Sequence, residues 1–195
     1  ISACLVGSEM CIRDSPKDMT AWVEGLVTYH LVIEGFLALA GQRNLLRFFR
    51  AMGLMPGFVA GFTAVARDES RHVGYGVLAL RRRVRENPEL GRVIARKLLE
   101  LAEPAVRTAI APERKLVLRH PSEVPAELRQ SPLEGRDFQL TSLEKRMRGI
   151  GLSDATIKEI LAHWSRQFDL QWAEYEANHG EEHPVRWYEQ QEALA

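Results

Sequence analysis

Residues 29–40 read Tyr-His-Leu-Val-Ile-Glu-Gly-Phe-Leu-Ala-Leu-Ala, an apolar stretch with a single carboxylate, Glu34, in its middle. Apolar residues are dense from about Lys17 to Ala40 and no proline interrupts them, which predicts a helix inside a helical bundle. An ionised carboxylate in such a setting is costly unless it is paired or bound to a metal. Glu34 is therefore a candidate metal ligand.

A second acidic motif, Arg-Asp-Glu-Ser-Arg-His, ends at His72. Glu69 and His72 are three residues apart, so a helix places both side chains on one face. Glu-x-x-His on one helix and a lone glutamate on another make half of a dinuclear carboxylate site, which needs a second copy of each. Glu-x-x-His also occurs often by chance. The alternative is that Glu34 pairs with an arginine inside the bundle, such as Arg67 or Arg71.

The rest of the chain predicts further helices and shows no alternating strand pattern, so the expected fold class is all-α. We expect helices over about 42–52, 56–85, 88–110 and 141–148, a helix from about 154 with its apolar face over 157–175, and a terminal piece over 185–193. Four prolines predict a broken connection over residues 111–136, and Gly149 and Gly151 predict a helix stop.

Composition narrows the function classes. The 195-residue chain has 26 basic and 26 acidic side chains, which gives no reason to expect a nucleic-acid partner. No uninterrupted apolar run reaches the roughly 18 residues of a membrane span, so we expect none. The two cysteines are Cys4 and Cys11, which excludes disulfides and a catalytic thiol from the rest of the chain and fits a cytoplasmic location.

Two motifs together resemble a known family. Residues 29–38 and residues 66–76, the latter reading Ala-Arg-Asp-Glu-Ser-Arg-His-Val-Gly-Tyr-Gly, are similar in order and separation to the ligand-binding oxidases related to the small (beta) subunit of ribonucleotide reductase. The resemblance is strong from about Trp22 to Arg85 and loose beyond. It implies a ferritin-like bundle, a manganese and iron cofactor (alternatively two iron ions), a homodimer, and a long-chain fatty acid or similar apolar ligand beside the metals.

Carried over by position, the resemblance makes Glu34, Glu69 and His72 metal ligands. It makes Tyr29 the tyrosine that forms an ether cross-link to a valine, and Asp68 the carboxylate that orients a ligating histidine. On a regular α-helix Tyr29 and Glu34 point roughly 140° apart, and a local π-type widening would bring them closer. The alternative for Tyr29 is a buried aromatic ring with a satisfied hydroxyl group. We expect the valine, a second Glu and a second Glu-x-x-His in an upstream part of the protein.

The first fifteen residues call for a separate interpretation. Leu5 to Ser15 reads LVGSEMCIRDS, which can be back-translated into a transposase adapter used in sequencing libraries. We interpret residues 1–15 as a non-native segment and residues 16–195 as the C-terminal part of a ferritin-like dinuclear-metal oxidase domain. The alternative is a natural N-terminal arm, and the same codons in intact genomic DNA would establish it.

Three functions follow from these observations. The first is an oxidase that activates dioxygen at two metals, although the fragment alone should be inactive and should bind metal weakly. The second is the small subunit of ribonucleoside-diphosphate reductase, and the third is a non-catalytic metal-binding bundle. Among the other histidines, we expect His30 to serve packing rather than ligation, and His179 and His183 to lie in a solvated turn.

Overall fold

The computed structural model describes residues 18–116 and 120–194, which form helices and contain no strand. The fold is therefore an all-α bundle, as predicted. The elements are α1 (Met19–Leu26), a π-helix (Val27–Ala38), α2 (Leu39–Ala51), α3 (Pro56–Glu86), α4 (Leu90–Ile110), α5 (Pro132–Ile150), α6 (Asp154–His179) and α7 (Val185–Leu194), with two short 3₁₀ turns at Pro121–Glu123 and Ala126–Leu128. The proposed non-native segment, residues 1–15, lies outside the described residues.

α1, the π-helix and α2 join into one continuous helix, Met19–Ala51, here called the first helix. It begins where the Asp18 carboxylate accepts hydrogen bonds from the backbone N–H groups of Thr20 and Ala21. The expected break between two helices near residue 41 was wrong, because Gly41 lies on an exposed turn and costs an α-helix only about 1 kcal/mol.

The first helix is also long and apolar enough to cross a membrane, by length and composition alone. The core helix of a soluble protein and a signal sequence meet the same criterion, so this finding decides nothing about a membrane. The sequence analysis predicted no membrane span because Glu34 interrupts the apolar run, and so it did not identify this long apolar helix.

The middle of the first helix is widened over 12 residues, Val27–Ala38. In a π-helix the hydrogen bonds run from residue i to residue i+5, so side chains five apart lie closer together around the helix axis than they do on an α-helix. Tyr29 and Glu34 are five apart and both lie in this segment. The local widening that the sequence raised as a condition for bringing them together is therefore present.

The core is formed where the first helix packs against α4 and α6. Phe36 of the π-helix meets Trp164 of α6 edge to face, with ring centroids 4.6 Å apart. The indole N–H of Trp164 donates a hydrogen bond to the backbone carbonyl of Leu98 in α4 (2.9 Å), so this buried polar group is satisfied. The predicted apolar face of α6 is buried, as its spacing indicated, except for Leu161, which is partly buried.

The helix after the proline-rich connection is longer than expected. It covers Pro132–Ile150 instead of residues 141–148, and Gly149 lies inside it. Pro132 occupies the first turn, where proline is favourable, and the Ser131 hydroxyl caps the exposed N–H groups. The proline was misread as a loop signal, and only Gly151, in the left-handed region at φ 100°, ends the helix.

The expectation of a solvated turn at His179 and His183 was wrong. His179 is the last residue of α6. His183 is 5% exposed, and its ring packs against those of Trp172 and Tyr175. Its Nδ1 accepts a hydrogen bond from the backbone N–H of Val185 (3.2 Å). The aromatic residues of α6 bury His183. The residues next to His183 in the sequence do not indicate this packing.

Candidate metal centre

The three ligands predicted from the sequence converge in space. Glu34 comes from the π-helix, and Glu69 and His72 come from α3. Each offers one ligand atom, and these atoms all lie within 4.8 Å of one another. His72 Nδ1 is 3.6 Å from Glu34 Oε1 and 3.6 Å from Glu69 Oε2. The group could hold a metal ion, and its ligand types do not identify which metal.

The geometry fits a cation between the side chains. First-row divalent metals bind nitrogen and oxygen ligands at about 2.0–2.2 Å, so two ligands of one ion lie at most about 4.4 Å apart. The two separations of 3.6 Å fall within that limit. They are also longer than a hydrogen bond, so His72 does not satisfy either carboxylate directly.

Glu69 provides the clearest sign of an absent partner. Its Oε2 atom is buried and has no hydrogen-bond partner. A buried carboxylate oxygen without a partner is unfavourable, because it has lost its contacts with water and gained no hydrogen bond in return. A cation between Glu34, Glu69 and His72 would provide the missing partner for this oxygen. The three side chains therefore fit the role of metal ligands.

Glu34 is almost fully buried, at 5% exposure. Its Oε2 lies 2.7 Å from Nδ1 of His30, one turn earlier in the same helix. The prediction that His30 serves packing was therefore incomplete, because its ring also forms a hydrogen bond with a candidate ligand. The alternative of an arginine partner was wrong in the described part of the chain: Arg71 pairs with Asp68, and neither Arg67 nor Arg71 forms an ion pair with Glu34.

His30 is held in place by α3. A Cβ atom built on Gly76 would lie 2.4 Å from the Cβ of His30, so only glycine allows this close approach. The ring of Tyr75 meets the His30 ring edge to face, with centroids 5.8 Å apart. Gly76 lay within the quoted motif, but its role as the contact for His30 could not be read from the sequence.

Arg146 of α5 is a second residue that sequence reasoning missed. Its guanidinium is packed against the first helix at Gly35, where an added Cβ would lie 2.9 Å from Arg146 Cζ. Burial lowers the pKa of Arg146 to about 10, so the group is still protonated at neutral pH. Its Nη1 has no hydrogen-bond partner. A buried positive charge thus lies against Gly35 of the first helix.

Tyr29 and Asp68 lie outside the three-residue group. Tyr29 is 46% exposed and contacts the edge of the His30 ring, with centroids 5.2 Å apart. The alternative of a buried aromatic ring is therefore wrong for Tyr29 in this structure. Asp68 is exposed and forms an ion pair with Arg71. The roles that the resemblance assigns to these two residues stay predictions.

His72 leaves the cluster open on one side, because 60% of its side chain is exposed. The buried wall is formed by the first helix, and the open side lies on α3. The cluster is therefore accessible from solvent on the His72 side.

A second Glu-x-x-His match, at Glu176 and His179, is not a metal site. Glu176 accepts hydrogen bonds from Arg186 Nε (3.0 Å) and from the backbone N–H of His183 (3.2 Å). The His179 ring lies 3.0 Å from the carbonyl oxygen of Pro112. In this second match, the spacing therefore has a structural explanation.

No protein-family model matches the chain, and no solved structure matches it. The relation to ribonucleotide reductase small subunits therefore stays a prediction that depends on the two motifs.

Proposed function

We propose that this chain contributes Glu34, Glu69 and His72 to a dinuclear metal centre in a dioxygen-activating oxidase. The observation that carries the proposal is the convergence of these side chains around a buried, unpartnered oxygen of Glu69. Glu34 and Glu69 come from consecutive helices, and a cation between them would offset the repulsion of the two carboxylates.

Manganese and iron, or two iron ions, are the proposed metals. Carboxylates and imidazoles are ligands that these ions accept, and a carboxylate can bridge two of them. When bound, the metals would supply the electrons that reduce dioxygen. Glu34 and Glu69 would balance the positive charge, and His72 would fill a terminal position.

The surrounding residues have distinct proposed tasks. His30 would hold the Glu34 carboxylate in one orientation through its hydrogen bond. The buried apolar side chains of the first helix would keep water from the inner side of the centre. Tyr29, five residues before Glu34, is the proposed site of the ether cross-link, and Asp68 the proposed orienting carboxylate.

The proposed long-chain fatty acid has a matching feature near α3. An open groove of about 470 Å³ lies between the end of α2 and the start of α3, with a mostly apolar lining. Arg50 and Arg67 also line it. An apolar groove with two guanidinium groups suits a chain with an anionic head, and Arg67 is two residues from Glu69.

The oxidase can be tested by adding ferrous and manganous ions to the protein without oxygen and then admitting dioxygen. The protein used is the chain together with the upstream part that we expect to supply the remaining ligands and the valine. Oxygen uptake that disappears in Glu69→Gln, together with a mass-shifted tryptic peptide containing Tyr29, would support an oxidase. Glu159→Gln, which changes an exposed carboxylate of α6, is the matched control. Metal binding without oxygen uptake would favour the non-catalytic bundle.

The reductase small subunit is the second candidate, because the same ligand motifs fit both. Nucleotide reduction after mixing with a large subunit would favour it. Absence of metal binding would remove all three functions.

A further inference from the structure

The turn that joins the first helix to α3 is exposed and apolar. Residues 50–57 are all exposed. They include Met52, Leu54 and Met55, which are 42%, 47% and 57% exposed. Turns favour glycine, proline, asparagine, aspartate and serine, so three large apolar side chains at this position call for another explanation.

Two more exposed apolar side chains lead along the first helix to this turn. Leu45 and Phe48 precede Met52 by seven and four residues, so helical spacing places the three side chains on one face. Both are exposed to a similar degree as Met52. We call the set of Leu45, Phe48, Met52, Leu54 and Met55 the apolar tip.

The backbone at Met55 adopts a conformation that does not suit methionine. Its φ is 50°, in the left-handed region where glycine and asparagine are favoured. Such backbone strain persists only where the surrounding structure holds it, and it occurs often at functional positions. A large apolar side chain is therefore present where glycine would fit the turn better.

The sequence around the apolar tip carries positive charge and no negative charge. Over residues 35–67 it contains four arginines and neither aspartate nor glutamate, although the whole chain has 26 basic and 26 acidic side chains. The four are Arg43, Arg47, Arg50 and Arg67. A local surplus of positive charge therefore surrounds the tip of a formally neutral chain.

Two of these arginines are available to an external anion. Arg50 and Arg67 are exposed and line the groove beside Leu54. Among the described residues neither forms an ion pair, and Arg50 donates a hydrogen bond from Nη2 to Thr63 Oγ1 (3.0 Å). Arg47, in contrast, pairs with Glu134 at 2.9 Å.

Aromatic packing holds the turn in place. The ring of Phe49 meets that of Phe58 with centroids 5.0 Å apart, and Phe58 stacks on Phe62 at 4.9 Å. The backbone N–H of Leu54 donates a hydrogen bond to the carbonyl oxygen of Phe49 (3.1 Å). The apolar tip is therefore a preformed surface.

We propose that the apolar tip inserts into the surface of an anionic lipid bilayer, with Arg50 and Arg67 contacting the lipid headgroups. Apolar side chains bordered by arginines suit the boundary between headgroups and acyl chains. The negative potential of an anionic bilayer attracts basic side chains near its surface. The binding is peripheral, and it does not depend on the proposed metal centre or oxidase, because no metal ligand takes part.

The apolar tip lies at one end of the helix pair, away from the metal centre. Met52 follows Glu34 by 18 residues, which is about 25 Å along a helix. Upstream helices that complete the metal centre must pass its ligands and need not reach the tip. Charge also favours a bilayer over a second copy of this chain, because two tips would place arginines against arginines.

Co-sedimentation with lipid vesicles tests the proposal on the 195-residue chain. Mixed vesicles of phosphatidylcholine and phosphatidylglycerol should bind it at least tenfold more tightly than vesicles of phosphatidylcholine alone, because only the mixed vesicles carry net negative charge. High salt should release the protein, since it screens this attraction. Equal binding to both kinds of vesicle would overturn the proposal.

Variants of the tip locate the binding surface. Leu54→Glu should weaken binding to the mixed vesicles at least tenfold, and Arg67→Gln about fivefold. Met55→Gly should weaken binding at least fivefold but raise the melting temperature, because glycine adopts φ 50° without strain. A variant that folds better and binds less well cannot have lost binding through misfolding. Leu170→Glu, at an exposed leucine of α6, is the matched control and should bind like the unchanged protein.

Three outcomes would contradict the proposal. Leu78 is exposed on α3 outside the tip, so binding lost in Leu78→Glu but kept in Leu54→Glu would assign it to the side of the helix pair. Loss of vesicle binding when the chain is extended by the expected upstream part would show that this part covers the tip. Binding to soluble polyglutamate but not to mixed vesicles would assign the arginines to an acidic protein partner.

Discussion

His30 Nδ1 lies 2.7 Å from Glu34 Oε2, so the buried carboxylate of the first helix already has a partner one turn away. The hydrogen bond uses one carboxylate oxygen, and the other, Oε1, faces His72 at 3.6 Å. Glu34 therefore has one oxygen held by the protein and one directed into the candidate metal centre. The first two predictions follow from these different positions of the two carboxylate oxygens.

Glu34→Gln should weaken Mn²⁺ binding by more than tenfold, because the amide keeps the shape of the side chain but removes its charge. The metal-free protein should keep its melting temperature, since an amide can still form a hydrogen bond with His30. Isothermal titration and thermal unfolding measure the two effects. Glu159→Gln is the control, and equal Mn²⁺ affinity in both variants would contradict the ligand role of Glu34.

His30→Leu should weaken Mn²⁺ binding by about 10–100-fold, the range found when a partner of a metal ligand is removed. His30→Gln should recover part of the affinity, because its amide can donate a hydrogen bond to Glu34. A structural role alone would lower stability in both variants without this difference in affinity. Unchanged Mn²⁺ binding in His30→Leu would show that the contact with Glu34 does not matter for the site.

Gly76→Ala should destabilise the protein by about 1–3 kcal/mol, the usual cost of overpacking a closely packed contact. The new methyl group would meet the Cβ of His30, which an ideal Cβ approaches to 2.4 Å. Gly74→Ala is the matched control on the same helix, since nothing lies within 4 Å of its Cβ position. It should stabilise α3 by about 0.5–1 kcal/mol. Urea unfolding of both variants measures the difference, and equal effects would contradict the close contact.

Stability should fall as the pH is lowered from about 6.5 to about 4. Burial lowers the pKa of His183 to about 4 from its ordinary value of 6.5. Between these values the unfolded chain binds a proton that the folded chain does not, so stability rises with pH across that window. Protonation at Nδ1 would also break the hydrogen bond from the N–H of Val185.

The pH effect is measured by urea unfolding at several pH values. In His183→Asn an amide oxygen can replace Nδ1 as acceptor, so the slope over this window should decrease. His163→Asn, which leaves His183 in place, should keep the slope. A slope unchanged by His183→Asn would assign the pH dependence to other groups.

The sequence determined much of the fold because apolar spacing and helix signals act locally. The bounds of α3 and α4 and the buried face of α6 followed from prolines, glycines and apolar residues at intervals of three and four. The predicted helix bounds were wrong where proline or glycine, which often interrupt a helix, instead lies within one. Pro132 begins a helix instead of breaking one, and Gly41 is tolerated within the first helix.

The sequence by itself also determined the three candidate ligands, because a carboxylate inside an apolar helix and a Glu-x-x-His motif are recognisable by composition and spacing. Only the tertiary structure decided what surrounds them. Gly76 of α3 holds the His30 ring that contacts Glu34, and Arg146 of α5 packs against Gly35, both through packing between helices. Local spacing fixes which side chains share a helix face, whereas the approach of one helix to another depends on how the whole core packs, and no local pattern records that.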